Sequence, residues 1–177
     1  LYGLESLQNS FEGFDEGVKS VLVWSKQRQE RLSADGSSHV EFQPVSELIE
    51  IPSDYEMALE AAMGQRLQTL VCDKAQEPLD AVNFLKEGKK GRSSFLAQDL
   101  APSYQDLREA APFSAQASEL RTLPGVKTIL TDVINGESEL LNSLRGFLGH
   151  VVVVDDLNVA IALKPRFSNW NFVTPQG

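Results

Sequence analysis

Apolar and polar positions in this chain switch between a helical and a strand-like period, and they do so twice in the same order. From Pro44 to Asp73 (PVSELIEIPSDYEMALEAAMGQRLQTLVCD) a short apolar segment is closed by Pro52. Tyr55, Ala58, Leu59, Ala62 and Met63 then recur at i, i+3, i+4, i+7 and i+8, which predicts an amphipathic helix. Gly64 stands where a left-handed stop is expected. An apolar strand, Leu67 to Cys72, follows and ends in Asp73. The order returns from Gly125 to Asp156 (GVKTILTDVINGESELLNSLRGFLGHVVVVDD). There Leu140, Leu141, Leu144 and Leu148 give the helical face, Gly149 takes the place of Gly64, and Val151 to Val154 gives the strand. Each copy runs into a further apolar helix, PLDAVNFLK or LNVAIALK, and then a terminal strand, GRSSFLAQ or NWNFVTPQ. The pattern reads as a duplicated helix/strand unit. Residues 44–98 are expected to match 125–176 in element order.

The rest of the chain frames these copies. Leu4, Leu7, Phe11 and Phe14 make a narrow seam at coiled-coil spacing, interrupted by Gly13 and Gly17. Val18 to Trp24 continues it with a dense apolar run, so residues 1–24 are read as an entry helix. Residues 25–39 are polar and contain Asp35-Gly36, which predicts a helix end and an exposed loop. The first subdomain is placed at 40–99 and the second at 122–177. Between them, 100–121 mixes Pro, Ser and Ala without a sustained period, as a connector with one helical turn or two. The expected fold class is α/β (α+β), with two similar helix/strand subdomains.

Composition narrows the function classes. No run approaches the ~20 apolar residues that span a bilayer, and the N-terminal LYGLESLQNSFEGF lacks a signal peptide's basic start and apolar stretch. Cys72, the only cysteine, lies in an apolar strand and is expected to be a buried, inert thiol. Together these features favour the cytoplasm. The formal charge of −9 argues against a surface that coats nucleic acid generally, and leaves room for a local basic patch.

No catalytic constellation emerges. His39 and His150 are the only histidines and sit at no metal-ligand spacing from Cys72 or from each other. The phosphate-loop and nucleophile-elbow motifs are missing, and EGKKGRSS has its lysines between its glycines. No metal or cofactor site is therefore expected. Asp155 and Asp156 follow four valines, where carboxylates can hold Mg²⁺ and would support a small metal-dependent α/β enzyme. The plainer reading is that one of them caps the helix beginning at Leu157, and Asp73 ahead of Lys74 and Ala75 is read the same way. Lys86, Lys89, Lys90 and Arg92 form the densest basic cluster, suited to phosphate or to a solvated helix end. The two terminal strands, each following a loop, are candidates for sheet edges open to a second chain, unless they pair with each other.

The residues also resemble a known family. Phe11-Glu12-Gly13-Phe14 with Gly17-Val18-Lys19, Val45-Ser46-Glu47-Leu48-Ile49, YEMALEAAMGQRLQTLV and GRSSFL resemble the hinge domain of structural maintenance of chromosomes (SMC) proteins, of the bacterial type. LPGVKTILTDVI, FLGHVVVVDDLNVAIAL and NFVTPQG agree in order and type in the second half. The resemblance implies a hinge between the antiparallel arms of a coiled coil, built from two pseudo-symmetric subdomains. It implies a dimerisation module rather than an enzyme, with ATP hydrolysis in distant head domains and a cytoplasmic, nucleoid-associated setting. It implies a second SMC hinge as partner, a homodimer joined near Gly91, Ser93, Phe95, Phe172, Val173 and Gly177. Weak contact with DNA is expected through Lys86, Lys89, Lys90 and Arg92, and none with membranes. Two departures stand out: HVEFQ precedes Val45 where the family has glycines, and of the family's terminal glycines only Gly177 is present.

Overall fold

The computed structural model describes residues 13–33, 41–100 and 111–177. The early seam of Leu4, Leu7 and Phe11, the loop with Asp35-Gly36, and His39 lie outside the described residues. Within them the element order repeats: α1 (Glu16–Ser33), β1 (Gln43–Pro44), α2 (Val45–Leu48), β2 (Ile49–Glu50), α3 (Glu56–Met63), β3 (Leu70–Cys72), α4 (Glu77–Gly88) and β4 (Phe95–Ala97) come first. They are followed by α5 (Ala111–Leu120), β5 (Val126–Ile129), α6 (Leu130–Val133), β6 (Asn135–Gly136), α7 (Ser138–Leu148), β7 (Val151–Val154), α8 (Leu157–Leu163) and β8 (Asn171–Val173).

Sheet topology repeats with the order. One sheet runs β1-β3-β4, the other β5-β7-β8. In each the first pair is antiparallel and the second parallel. A parallel pair needs a crossover, and the helix between its strands supplies it. Leu70 pairs with Phe95 and Val152 with Phe172, so the two phenylalanines hold equivalent register positions. The duplication read from the hydrophobic pattern therefore extends to both the helices and the pairing scheme.

Two compact units emerge, and they are not the two contiguous segments expected from the sequence. The first comprises residues 1–48 and 65–101, the second 49–64 and 102–177. β2 and α3 belong by sequence to the first repeat and by packing to the second unit. The physical reason is local. β2 pairs antiparallel with β6, Ile49 opposite Gly136 and Glu50 opposite Asn135. Beside Gly177, the Ala61 Cβ and the Met57 carbonyl of α3 lie 3.4 Å from where a Cβ would stand.

Each unit has its own core. In the first, Val18, Val21 and Leu22 of α1 pack with Phe42, Leu70, Cys72, Ala81 and Leu85. In the second, Leu120, Ile129, Val152, Val154, Phe167 and Trp170 form the centre. Several boundaries differ from the sequence expectation. α1 continues to Ser33, because the polar residues after Trp24 remain helical with Arg28 paired to Asp80. The strand expected at Leu67 begins at Leu70, since a 3-10 turn spans Gly64–Gln68. The connector holds a ten-residue helix, α5, whose buried Leu120 anchors it without a strong period of its own. Gly64 ends α3 with φ of 51°, whereas Gly149 stays right-handed at φ of −59° and carries its turn into His150.

Candidate interaction site: two edge strands and a basic loop

Among the described residues, β4 and β8 each pair on one side only, with β3 and β7 respectively, and not with each other. Both are edges. The backbone bonds settle which amides point outward. Leu70 N–H donates to the Ser94 carbonyl at 2.9 Å, and Asn171 N–H donates to the His150 carbonyl at 2.7 Å. Successive residues of a strand turn their N–H and C=O to opposite sides. Ser94 and Asn171 face inward, so Phe95 and Phe172 direct theirs to the open side, while Leu96 and Val173 bond within. The two repeats thus offer the same main-chain pattern at equivalent positions. Phe95 and Phe172 place their rings against the cores of their own units.

The remaining expected interface residues are positioned by their own unit. Gly91 and Ser93 lie in the loop before β4. Gly91 has φ of 92°, and a Cβ there would stand 2.9 Å from the Gly17 nitrogen. The Ser93 hydroxyl is buried and finds no partner atom among the described residues. Gly177, with φ of 94°, donates its N–H to the Thr174 carbonyl in a turn beside α3. Gly91, Ser93 and Phe95 belong to the first unit, and Phe172, Val173 and Gly177 to the second.

The basic cluster sits at the end of α4 and in the following loop. Lys86 suits the helix C-terminus, where the carbonyl ends favour cations. Lys89 takes a left-handed conformation, φ 49°, that turns the chain out of the helix. Lys86, Lys89, Lys90 and Arg92 are all exposed. Lys90 differs from the others because its Nζ lies 4.5 Å over the Phe84 ring. Phe84 stacks on Trp24 of α1 at 5.3 Å between centroids, and the Arg28 guanidinium lies 5.2 Å over Trp24. Lys90 is therefore engaged by a cation–π contact, and Lys86, Lys89 and Arg92 carry the open charge.

The carboxylates weighed as metal ligands have structural partners. Asp156 caps α8, its Oδ1 accepting the Val159 N–H at 3.1 Å, and Asp155 pairs with Lys127 at 3.4 Å. Asp73 does not cap α4, contrary to the expectation. α4 starts later, at Glu77, and the Asp99 carboxylate accepts the Ala75 N–H at 2.9 Å instead. Among the described residues no group of three or more His, Cys, Asp or Glu side chains gathers in a metal-binding arrangement. The Cys72 thiol is buried as expected, and its pKa is pushed up to about 12 by burial and then by Glu77, Asp99 and Asp73. No helix among the described residues is long and apolar enough to cross a membrane.

Sequence reasoning missed the residues that shape the second loop. Phe167 and Trp170, each 1% exposed, fill the segment before β8. Trp170 Nε1 donates to Gln116 Oε1 at 3.0 Å, and Arg166 pairs with Glu119. Lys164 Nζ donates to the Ser168 and Trp170 carbonyls at 2.9 and 2.6 Å. The available signal was two large aromatics in an otherwise polar stretch, PRFSNWN.

Comparison with known proteins bears on the same elements. Residues 39–164 match the model of the SMC proteins Flexible Hinge Domain. The Chromosome partition protein Smc of Lactiplantibacillus plantarum is 32% identical over 164 residues, 93% of this chain and 12% of that protein. Its Bacillus subtilis counterpart is 33% identical over 160 residues, 83% of this chain and 13% of that protein. The chain thus spans about an eighth of the length of these relatives. Among solved structures, an asymmetric dimer of the Geobacillus stearothermophilus SMC hinge domain matches with a TM-score of 0.75 and 28% identity. That match covers 99% of this chain and 64% of that one. The Pyrococcus furiosus SMC hinge domain, at 22% identity and a TM-score of 0.57, shares the fold. With its repeated sheets, its two edges and a match over most of its length, the chain belongs to the SMC hinge family.

Proposed function

We propose that this chain is a dimerisation module that joins two SMC subunits through the open edges β4 and β8, and that it has no catalytic role of its own. The observation that carries the reading is the outward main chain of Phe95 and Phe172 at equivalent register positions. An unprotected edge offers alternating N–H and C=O groups to a further strand, and identical patterns on two edges suit a symmetric partner. The relatives' name, Chromosome partition protein, and the dimer described for the Geobacillus hinge support the assignment. Chromosome partition and a nucleoid-associated setting are then the context of the longer protein. We also propose that Lys86, Lys89 and Arg92, with Lys90 if it leaves Phe84, contact DNA phosphates weakly and without sequence preference.

The test uses three variants of the full chain. Phe172→Ala and Phe172→Pro both remove the ring, and only the second removes the outward N–H. Val173→Pro removes an inward donor of the β7–β8 ladder. Sedimentation should show Phe172→Pro dimerising more weakly than Phe172→Ala, with circular dichroism alike in both. Val173→Pro should lower the melting temperature of the unit itself. Equal dimerisation of the two Phe172 variants would remove β8 from the interface.

A further inference from the structure

We infer that Gly17 and Gly91 are positioning residues: by crossing backbone to backbone they make docking of α1 set the basic loop and the β4 edge. The geometry at the crossing leaves no room for a side chain on either segment of it. A Cβ built on Gly17 would stand 1.9 Å from the Arg92 carbonyl oxygen and 2.4 Å from the Arg92 nitrogen and carbonyl carbon. All three are backbone atoms, so no side-chain rotation relieves the clash. A Cβ on Gly91 would stand 2.9 Å from the Gly17 nitrogen and 3.2 Å from its Cα. Gly91 is also held at φ of 92°, a conformation other residues adopt only with strain.

What lies on either side gives the crossing its consequence. Arg92 is the last cation of the basic cluster, and only Arg92 and Ser93 separate Gly91 from Ser94. The Ser94 carbonyl accepts the Leu70 N–H, the bond that opens the β3–β4 ladder. On the other side, α1 is fastened by the Asp15 N–H to Gln68 Oε1 bond at 2.7 Å, by the Trp24–Phe84 stack and by the Arg28–Asp80 pair at 2.9 Å. Only a short segment thus lies between the crossing with this anchored helix and the first ladder bond. Moving α1 at Gly17 displaces the Arg92 carbonyl, and the register of β4 begins two residues later.

The inference deepens the dimerisation reading, on which its functional consequence rests, and its test separates the two. Hydrogen exchange followed by mass spectrometry on the full chain should show Gly17→Ala speeding exchange of amides 91–97 about tenfold or more, with Val151–Val154 unchanged. Gly13→Ala is the control. Gly13 also has positive φ, 93°, but its built Cβ meets nothing within 4 Å, so amides 91–97 should keep their rates. Rates for 91–97 that stay the same in Gly17→Ala, or that rise equally in Gly13→Ala, would overturn the inference. If Gly17→Ala does not fold, the unaltered chain gives the answer under mild denaturant. Amides 18–24 and 91–97 should then open with one shared dependence, and separate dependences would overturn the coupling. Sedimentation of Gly17→Ala completes the test. Faster exchange at 91–97 with unchanged self-association would uphold the positioning role and remove β4 from the dimer contact.

Discussion

The loop before β4 and the loop before β8 occupy the same place in two copies of one topology, yet they are held in opposite ways. KKGRSS in the first unit stays on the surface and is held from behind, by the backbone crossing of Gly91 with Gly17 and by Lys90 on Phe84. PRFSNW in the second unit is held from within, by the buried Phe167 and Trp170. The preceding lysines diverge as well. Lys164 turns back to donate to two carbonyls, whereas Lys86, its counterpart by alignment of the helices, projects into solvent. One loop spends its side chains on stability and the other keeps them available. The contrast leaves a basic patch beside an edge strand in a chain of net charge −9.

The contrast predicts unequal responses to equivalent changes. The largest concerns the aromatic plug. Trp170→Ala should destabilise the second unit by about 3–5 kcal/mol, as large-to-small changes in a packed core do. Removing Lys90, whose contact is exposed, should cost only about 0.5–1 kcal/mol. Urea denaturation measures both, and equal losses would erase the distinction between the loops. Next come the lysines. Lys164→Ala should cost about 1–2 kcal/mol, because two charge-assisted bonds to carbonyls disappear. Lys86→Ala should stay within about 0.5 kcal/mol, as exposed substitutions do.

A third expectation depends on pH. The folded pKa of Cys72 is pushed from 9.0 up to about 12, so the folded thiol stays neutral where the unfolded one ionises. Its contribution to stability is complete below pH 9.0 and is lost as pH rises toward about 12. Val154 holds the corresponding position in the other sheet. Cys72→Val should therefore flatten the alkaline stability profile between those limits, and thermal melts from about one unit below that onset to about two units above it read it out. The clearest effect on binding belongs to the basic loop. Converting Lys86, Lys89, Lys90 and Arg92 to Glu should leave the circular dichroism spectrum unchanged. It should also abolish any salt-dependent binding to DNA, measured by fluorescence anisotropy.

The amphipathic stretches and the valine strand were legible in the sequence because a buried face imposes its period locally. Ala58, Leu59 and Met63 are buried as their spacing requires, and Val151 to Val154 are buried throughout. The cap at Asp156 was legible for the same reason, since cap and helix are neighbours in the chain. What escaped depends on distant partners. The apolar period of α1 stops at Trp24, and its continuation to Ser33 carries contacts such as Arg28 with Asp80, made across 52 positions of sequence. Asp73 caps nothing at α4, and the Ala75 N–H ahead of that helix bonds instead to Asp99, which arrives from beyond β4. The role of Gly17 is invisible to any period, because a glycine marks a close approach without saying to what.

The pairing of β2 with β6 has a further consequence, for ancestry and for engineering. Residues 49–64 of the first repeat are lodged in the second unit. A cut between the repeats at the connector would yield one piece lacking the strand that β6 needs and another carrying a helix torn from its packing. The loan runs one way, from the first repeat into the second unit, so the second unit depends on the first repeat for β2 and α3 while the two loops stay each with its own copy.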